Sequence, residues 1–216
     1  MNVEIQESEK IYVYKLITDN GGAPCVYNGL LSLSICKPAI RLNAQKCDWI
    51  IGFGGKSVPE LQKRLIYIAQ VTDVLENGDY YSSNKYRDRP DCIYRRDGSG
   101  YVSVDNQFHD ENELPHDLGN APNYDRARNL LSHRFVYFGS NSEPSIEPVI
   151  DIYNVLPRNY IKNHQDQNRK TLEKYVTTIV AQYGFKVLGK PTHLSGQSKC
   201  NESEDEYRVY PGCGQK

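Results

Sequence analysis

The chain has 216 residues, enough to bury a sizeable core without disulfide staples, as one good-sized domain with an appendage or as two small ones. Its 26 Lys and Arg nearly cancel 27 Asp and Glu, which argues against the positive field that grips long duplex DNA and favours a small ligand or a short stretch of nucleic acid. No run approaches the roughly 20 apolar residues that span a bilayer. Cys25, Cys36, Cys47, Cys92, Cys200 and Cys213 include no Cys-x-x-Cys pair and no apolar leader precedes Lys10, so a reducing cytoplasm is the expected compartment.

Residues 11–17 are β-branched and aromatic and stop at a turn-forming run, which predicts a first strand ending in a glycine loop. Leu31, Leu33 and Ile35 alternate with Ser32 and Ser34, the period of a half-buried strand, although a serine-bearing helix also fits so short a run. Pro38 then suits the first position of a short helix over 38–44, with Lys37 and Arg41 near one face. The apolar runs 48–55 and 65–75 predict two central strands joined as a hairpin. Residues 76–128 are polar and turn-rich, with extended candidates at 92–95 and 100–104, and strand character returns over 130–138. After Pro144 the clearest element is a helix in which Leu172, Tyr175, Val176, Ile179, Val180 and Tyr183 share one face, with Asn168 as N-cap and Gly184 as stop. The tail after Lys190, with its acidic run at 202–206, is expected to be loop or partly disordered.

Several groups of residues could carry chemistry. Thr18, Asp19, Asn20, Gly21 and Gly22 form a loop whose glycines let backbone approach a ligand, though a turn in which Asp19 and Asn20 bond their own backbone fits equally. It is not a phosphate loop of the Gly-x-x-x-x-Gly-Lys type. Lys37 and Arg41 at a helix start would hold a phosphate, or simply form a solvated basic face. Trp49, the only tryptophan, could wall a base pocket or sit in the core. His109-Asp110 and His116-Asp117 invite an acid-base reading, but no metal-ligand spacing accompanies them, and exposed loop residues explain them more simply. Arg87, Arg89, Arg95 and Arg96 interleave with Tyr80, Tyr81, Tyr86 and Tyr94 as a stacking-plus-cation surface, diluted by Asp79, Asp88, Asp91 and Asp97. Cys25, in the glycine loop, is a candidate nucleophile, with a buried inert thiol as the plainer alternative.

The segments Tyr14-Lys15, Thr18-Asp19-Asn20-Gly21-Gly22-Ala23-Pro24-Cys25, Gly29-Leu30-Leu31-Ser32-Leu33, Ile35-Cys36-Lys37-Pro38-Ala39-Ile40-Arg41 and Asp48-Trp49-Ile50-Ile51-Gly52-Phe53 resemble the nucleotide modification associated domain family, second type. The likeness runs on through 65–69, Arg89-Pro90-Asp91, His109, Asp117-Leu118-Gly119 and 131–139. It implies a bacterial or phage setting and a role beside enzymes that modify DNA bases. The element order is also similar to PUA-like domains such as EVE, YTH and ASCH, with Cys47-Asp48 and Ile68-Ala69-Gln70-Val71 at the matching places. That similarity implies a pocket between a barrel and its helical excursion.

The resulting expectation is an α+β fold: a PUA-like, mostly antiparallel β-barrel with short helices and one C-terminal amphipathic helix packed against it. Residues 1–142 would form the domain, 143–190 a helical extension on the same core, and 191–216 a polar tail. The expected function is a binding module for a modified nucleobase or nucleotide, with single-stranded or locally opened DNA as a further partner. Thr18, Asp19, Asn20, Gly21, Gly22, Lys37, Arg41, Trp49 and Arg89 would contact the ligand, with no cofactor, metal or membrane involved. The alternatives are an enzyme of base modification using Cys25, His109 or Asp117, and a phage sponge that sequesters a host nucleotide signal.

Overall fold

The computed structural model describes residues 3–56, 59–141 and 144–193, so the expected tail lies largely outside the described residues. The strands are β1 (Ile11–Leu16), β2 (Cys25–Tyr27), β3 (Leu30–Leu33), β4 (Trp49–Gly54), β5 (Leu65–Gln70), β6 (Asp73–Leu75), β7 (Tyr94–Asp97), β8 (Gly100–Ser103), β9 (Asn129–Ser132), β10 (Arg134–Tyr137), β11 (Tyr160–Ile161) and β12 (Lys186–Val187). The α-helices are α1 (Pro38–Asn43), α2 (Asp79–Ser82), α3 (Leu114–Leu118), α4 (Ile150–Val155) and α5 (Asp166–Tyr183).

One sheet runs β11-β1-β4-β5-β10-β12, a second runs β2-β3-β9-β6, and β7 pairs with β8 alone. Most pairings are antiparallel, the expected β4–β5 hairpin among them, but β1 lies parallel to β4 and β10 to β12. A parallel pair needs a crossover, and residues 17–48 supply it by carrying β2, β3 and α1 before returning. No closed barrel forms among the described residues: the large sheet ends on the short strands β11 and β12, which do not meet.

Two runs expected as single strands are each divided between the sheets. β5 and β10 pair in the large sheet, while their continuations β6 and β9 pair in the small one. The bend falls at Thr72 and His133. The Thr72 N–H donates to the Leu131 carbonyl at 2.9 Å, and Thr72 Oγ1 accepts the His133 N–H at 3.3 Å. Apolar character persists through this corner because both halves face a core, so periodicity alone does not reveal it.

Alternation along β4 separates two of these cores. Trp49, Ile51 and Phe53 face Leu172, Val176 and Val180 of α5, whereas Ile50 packs with Tyr12, Tyr14, Leu31 and Leu33 on the other side. Helix α5 begins at Asp166, earlier than the expected cap at Asn168, and ends at Gly184, whose φ of +70° suits glycine. A third core gathers Tyr80, Tyr81, Tyr86 and Tyr94. The surface expected from the Arg and Tyr interleaving is thus mostly interior: Tyr80 stacks on Tyr86 with centroids 4.8 Å apart, and Arg89 is buried.

Ser32 and Ser34 are fully buried, unlike the outward face of a half-buried strand. They donate to Asp91 Oδ2 at 2.5 Å each, and Tyr80 donates to Oδ1 at 2.6 Å. Arg89 lies 3.4 Å from the same carboxylate and donates to the Cys25, Tyr27 and Leu30 carbonyls, tying the β2–β3 hairpin to the segment before β7. Removing one charge of a buried pair strands the other. Asp91→Ala is therefore expected to lower the unfolding free energy by about 3–5 kcal/mol in urea titration. A loss no larger than that of an exposed control such as Asp88→Ala would refute this account.

Candidate functional site

Between β3 and α1 the backbone enters the left-handed region at two successive residues, Cys36 with φ +56° and Lys37 with φ +42°. For residues with a Cβ this costs on the order of 1–3 kcal/mol each, so the surroundings must hold it. They do so from both sides. The Cys36 N–H donates to Asp117 Oδ1 at 2.6 Å, and the Cys36 carbonyl accepts Arg41 Nε at 2.7 Å.

The same turn sets the Cys36 sulfur 3.1 Å from His109 Nε2. His109 Nδ1 in turn lies 2.7 Å from Asp117 Oδ2. Asp117, on α3, is fully buried and also accepts the Tyr94 hydroxyl at 2.8 Å. His109 follows β8 in a loop shaped by Asn106, whose Oδ1 takes the backbone N–H groups of Phe108 and His109 at 2.8 and 2.9 Å. A thiol, an imidazole and a carboxylate thus stand in the order nucleophile, base and orienting group. With Nδ1 donating to Asp117, Nε2 is the nitrogen that can exchange a proton with sulfur.

The sulfur's surroundings open into a cavity of about 460 Å³ that Thr18, Asn20, Lys37 and Phe108 line together with Cys36 and His109. That volume suits one small organic ligand. The glycine loop forms one wall. Gly22 lies so close to Phe108 that a Cβ there would sit 2.7 Å from the ring, and its N–H bonds Asn20 Oδ1 at 3.1 Å. The Lys37 ammonium rests 5.1 Å from the centre of the Tyr14 ring. Burial lowers its pKa, and the nearby Cys36 sulfur opposes that shift.

Of the residues expected to touch a ligand, Thr18, Asn20 and Lys37 come together here. The others have different work. Asp19 is buried, accepting Tyr137 Oη at 2.6 Å and both the N–H and the hydroxyl of Thr192, so it pins the loop to β10 and the chain beyond β12. Burial raises its pKa, with those bonds pulling the other way. Gly21 takes a positive φ in the loop. Arg41 is not a phosphate ligand: its buried guanidinium also donates to the Asp117, Arg126 and Arg128 carbonyls at 2.6–2.8 Å. Lys37 is the residue before α1 and is not helical, so the spacing of four that would align it with Arg41 does not apply. Trp49 does not stack on a base, because it is fully buried on the α5 side with Nε1 bonded to Glu9 at 3.0 Å. Arg89 belongs to the Asp91 cluster.

Cys25 is not placed to act as a nucleophile. It is 1 % exposed in β2, and burial, reinforced by Asp91, holds its thiol well above the ordinary range. The sulfur that meets an imidazole is Cys36, which sequence reasoning passed over; the available signal was a cysteine directly before Lys37-Pro38, in the turn between β3 and α1. Among the described residues no group of three or more His, Cys, Asp or Glu side chains could hold a metal ion, and no helix is long and apolar enough to cross a membrane.

A family model described as nucleotide modification associated domain 2 matches residues 8–198. The chain belongs to that family. The match takes in the whole Cys36–His109–Asp117 group and continues through α5, and membership links the domain to nucleotide modification. No curated protein and no solved structure matches significantly.

For His109, burial pulls the pKa down, but the bonds to Asp117 and Cys36 outweigh it and push the value up to about 10. The folded value thus exceeds the unfolded one, near 6.5. The stabilisation is therefore fully present below that unfolded pKa and is lost as pH rises through about 10. Relative to wild type, His109→Gln is expected to cost roughly 2–4 kcal/mol at about pH 6 and clearly less at about pH 10.5, read by urea unfolding. A pH-independent difference would contradict it.

Proposed function

We propose that this member of the nucleotide modification associated domain 2 family is an enzyme that acts on a nucleotide or nucleobase through a covalent bond to Cys36. The observation that supports this reading is the aligned contact of Cys36 Sγ with His109 Nε2 and of His109 Nδ1 with Asp117, at the wall of a ligand-sized cavity. His109 takes the proton from sulfur and returns it to the departing group, Asp117 keeps the ring in the required tautomer, and Tyr94 and Arg41 keep Asp117 in place. Lys37 meets the phosphate or another anionic group of the substrate. Thr18 and Asn20 offer polar atoms to the base edge, and Phe108 offers a face for stacking.

A binding module, or a sponge for a host nucleotide signal, would use the same cavity and the same lysine. Neither has use for a nucleophile, a base and an orienting acid in line, which is why the enzymatic reading is preferred. The PUA-like likeness fits here too, since the cavity lies against the excursion between β1 and β4, where that group places its ligand. The setting that accompanies the reading is DNA base modification or phage–host conflict, in the cytoplasm, with a nucleotide or a locally single-stranded DNA as substrate.

Incubation with nucleotides and with modified and unmodified DNA, followed by mass spectrometry, is expected to show a changed product. Cys36→Ala should lower turnover by about a thousandfold or more, whereas Cys25→Ala should leave the turnover of the folded protein near wild type. Recovery of every bound ligand unaltered would overturn the enzymatic reading in favour of binding.

A further inference from the structure

Residues 17–24, between β1 and β2, form neither helix nor strand, so the place of the glycine loop beside the cavity depends on what grips it. The grip falls on Asp19. Tyr137 gives its carboxylate one hydrogen bond, and the chain beyond β12 gives more. Thr192 donates its N–H at 3.0 Å and its hydroxyl at 3.1 Å to Asp19 Oδ2. His193 takes hold of the backbone itself. Its N–H donates to the Asp19 carbonyl at 2.9 Å, and its Nδ1 lies 3.2 Å from the Asp19 nitrogen and 3.4 Å from Thr18 Oγ1.

A backbone N–H can only donate, so Nδ1 is the acceptor and the ring proton sits on Nε2, 2.9 Å from Glu60 Oε1. The two ring contacts differ in weight. The Glu60 side chain is more than half exposed, where such a pair contributes little. Asp19 is 1 % exposed, and among the described residues its N–H has no acceptor besides Nδ1, so loss of that nitrogen leaves a buried donor unmatched. Thr18 and Asn20, on either side of Asp19, line the cavity together with Cys36.

We propose that His193 is a positioning residue of the cavity: through Nδ1 it holds the Thr18–Asp19 backbone, and with it the wall formed by Thr18 and Asn20, in place beside Cys36. The proposal rests on the reading of that cavity as the ligand site. It brings into the site a residue 174 positions beyond Asp19, from the segment after α5 and β12. When Nδ1 is removed, the Asp19 N–H must turn to water, which opens the wall locally and leaves a ligand to order Thr18 and Asn20 as it binds.

The test is iodoacetamide alkylation of the full chain, read cysteine by cysteine by mass spectrometry, with the buried thiol of Cys92 reporting global unfolding. His193→Ala is expected to speed alkylation of Cys36 by about fivefold or more, with Cys92 as slow as in wild type. Asparagine sets an amide oxygen near the place of Nδ1, and glutamine sets its amide near that of Nε2. His193→Asn and Glu60→Ala should therefore stay within about twofold of wild type, and His193→Gln should behave as His193→Ala. A Cys36 rate in His193→Ala equal to wild type overturns the proposal, as does equal rescue by Asn and Gln. Acceleration of Cys92 in step with Cys36 overturns it too, by assigning His193 to overall stability. Repeating the alkylation with excess dAMP, dCMP, dGMP or dTMP separates this proposal from the reading beneath it. Protection of Cys36 by at least one of them in wild type, weakened in His193→Gln, is the expected result. Equal protection in both chains overturns the positioning role. No protection by any of them in wild type overturns the nucleotide reading of the cavity, while the alkylation ratios still decide whether His193 holds its wall.

Discussion

The arrangement around the cavity depends on one carboxylate. Asp117 is fully buried, and its two oxygens take the Cys36 N–H, His109 Nδ1 and the Tyr94 hydroxyl, with an Arg41 nitrogen 3.8 Å away. These partners come from four separate places: the β3–α1 turn, the loop after β8, strand β7 and helix α1. A buried charge is tolerated only when its hydrogen-bonding capacity is filled, so burial of Asp117 requires all four to converge. The consequence runs both ways. The carboxylate orients the ring and the turn, and the ring and turn make its burial possible.

Arg41 extends that constraint through the backbone. Its guanidinium reaches carbonyls at Cys36, Asp117, Arg126 and Arg128, which lie in the turn, the end of α3 and the approach to β9. Five donors in a rigid fork suit this role better than one ammonium would. The second buried arginine cluster, Arg89 with Asp91, works in the same way on the β2–β3 hairpin. Two arginine-centred knots thus belong to the polar interior of the described residues, one behind the cavity and one beneath the hairpin, beside other buried groups such as Asp19 with Tyr137 and Arg134 with Gln70. That is why residues expected to meet a ligand as free cations are found holding the chain together.

What the sequence made legible is local. The first strand, the β4–β5 hairpin, the proline-started helix and the amphipathic face of α5 follow from periodicity and turn residues, and those forces act over a few positions. What was not legible depends on distant contacts. Trp49 is ambiguous until α5 is known to cover that face of β4. Lys37 and Arg41 suggest a joint site until the left-handed turn separates them. Cys36 and Cys25 look alike as letters; they differ because one sulfur meets an imidazole 73 residues downstream and the other is enclosed by the Asp91 cluster. The seventeen tyrosines read as strand or base-binding residues, and several are interior hydroxyls that satisfy buried carboxylates.

The turn at Cys36 also has a consequence for the order in which the site assembles. His109 and Asp117 lie 73 and 81 residues beyond the cysteine, so a chain emerging from a ribosome carries Cys36 as an ordinary thiol until α3 has been made and docked. Before that, nothing holds the left-handed backbone or brings a ring to the sulfur. A truncated or unfinished copy that lacks His109 and Asp117 therefore carries the cysteine without its partners. The contact of thiol with imidazole forms only once the distant halves of the chain have met, which makes it a property of the assembled fold and not of the peptide around Cys36.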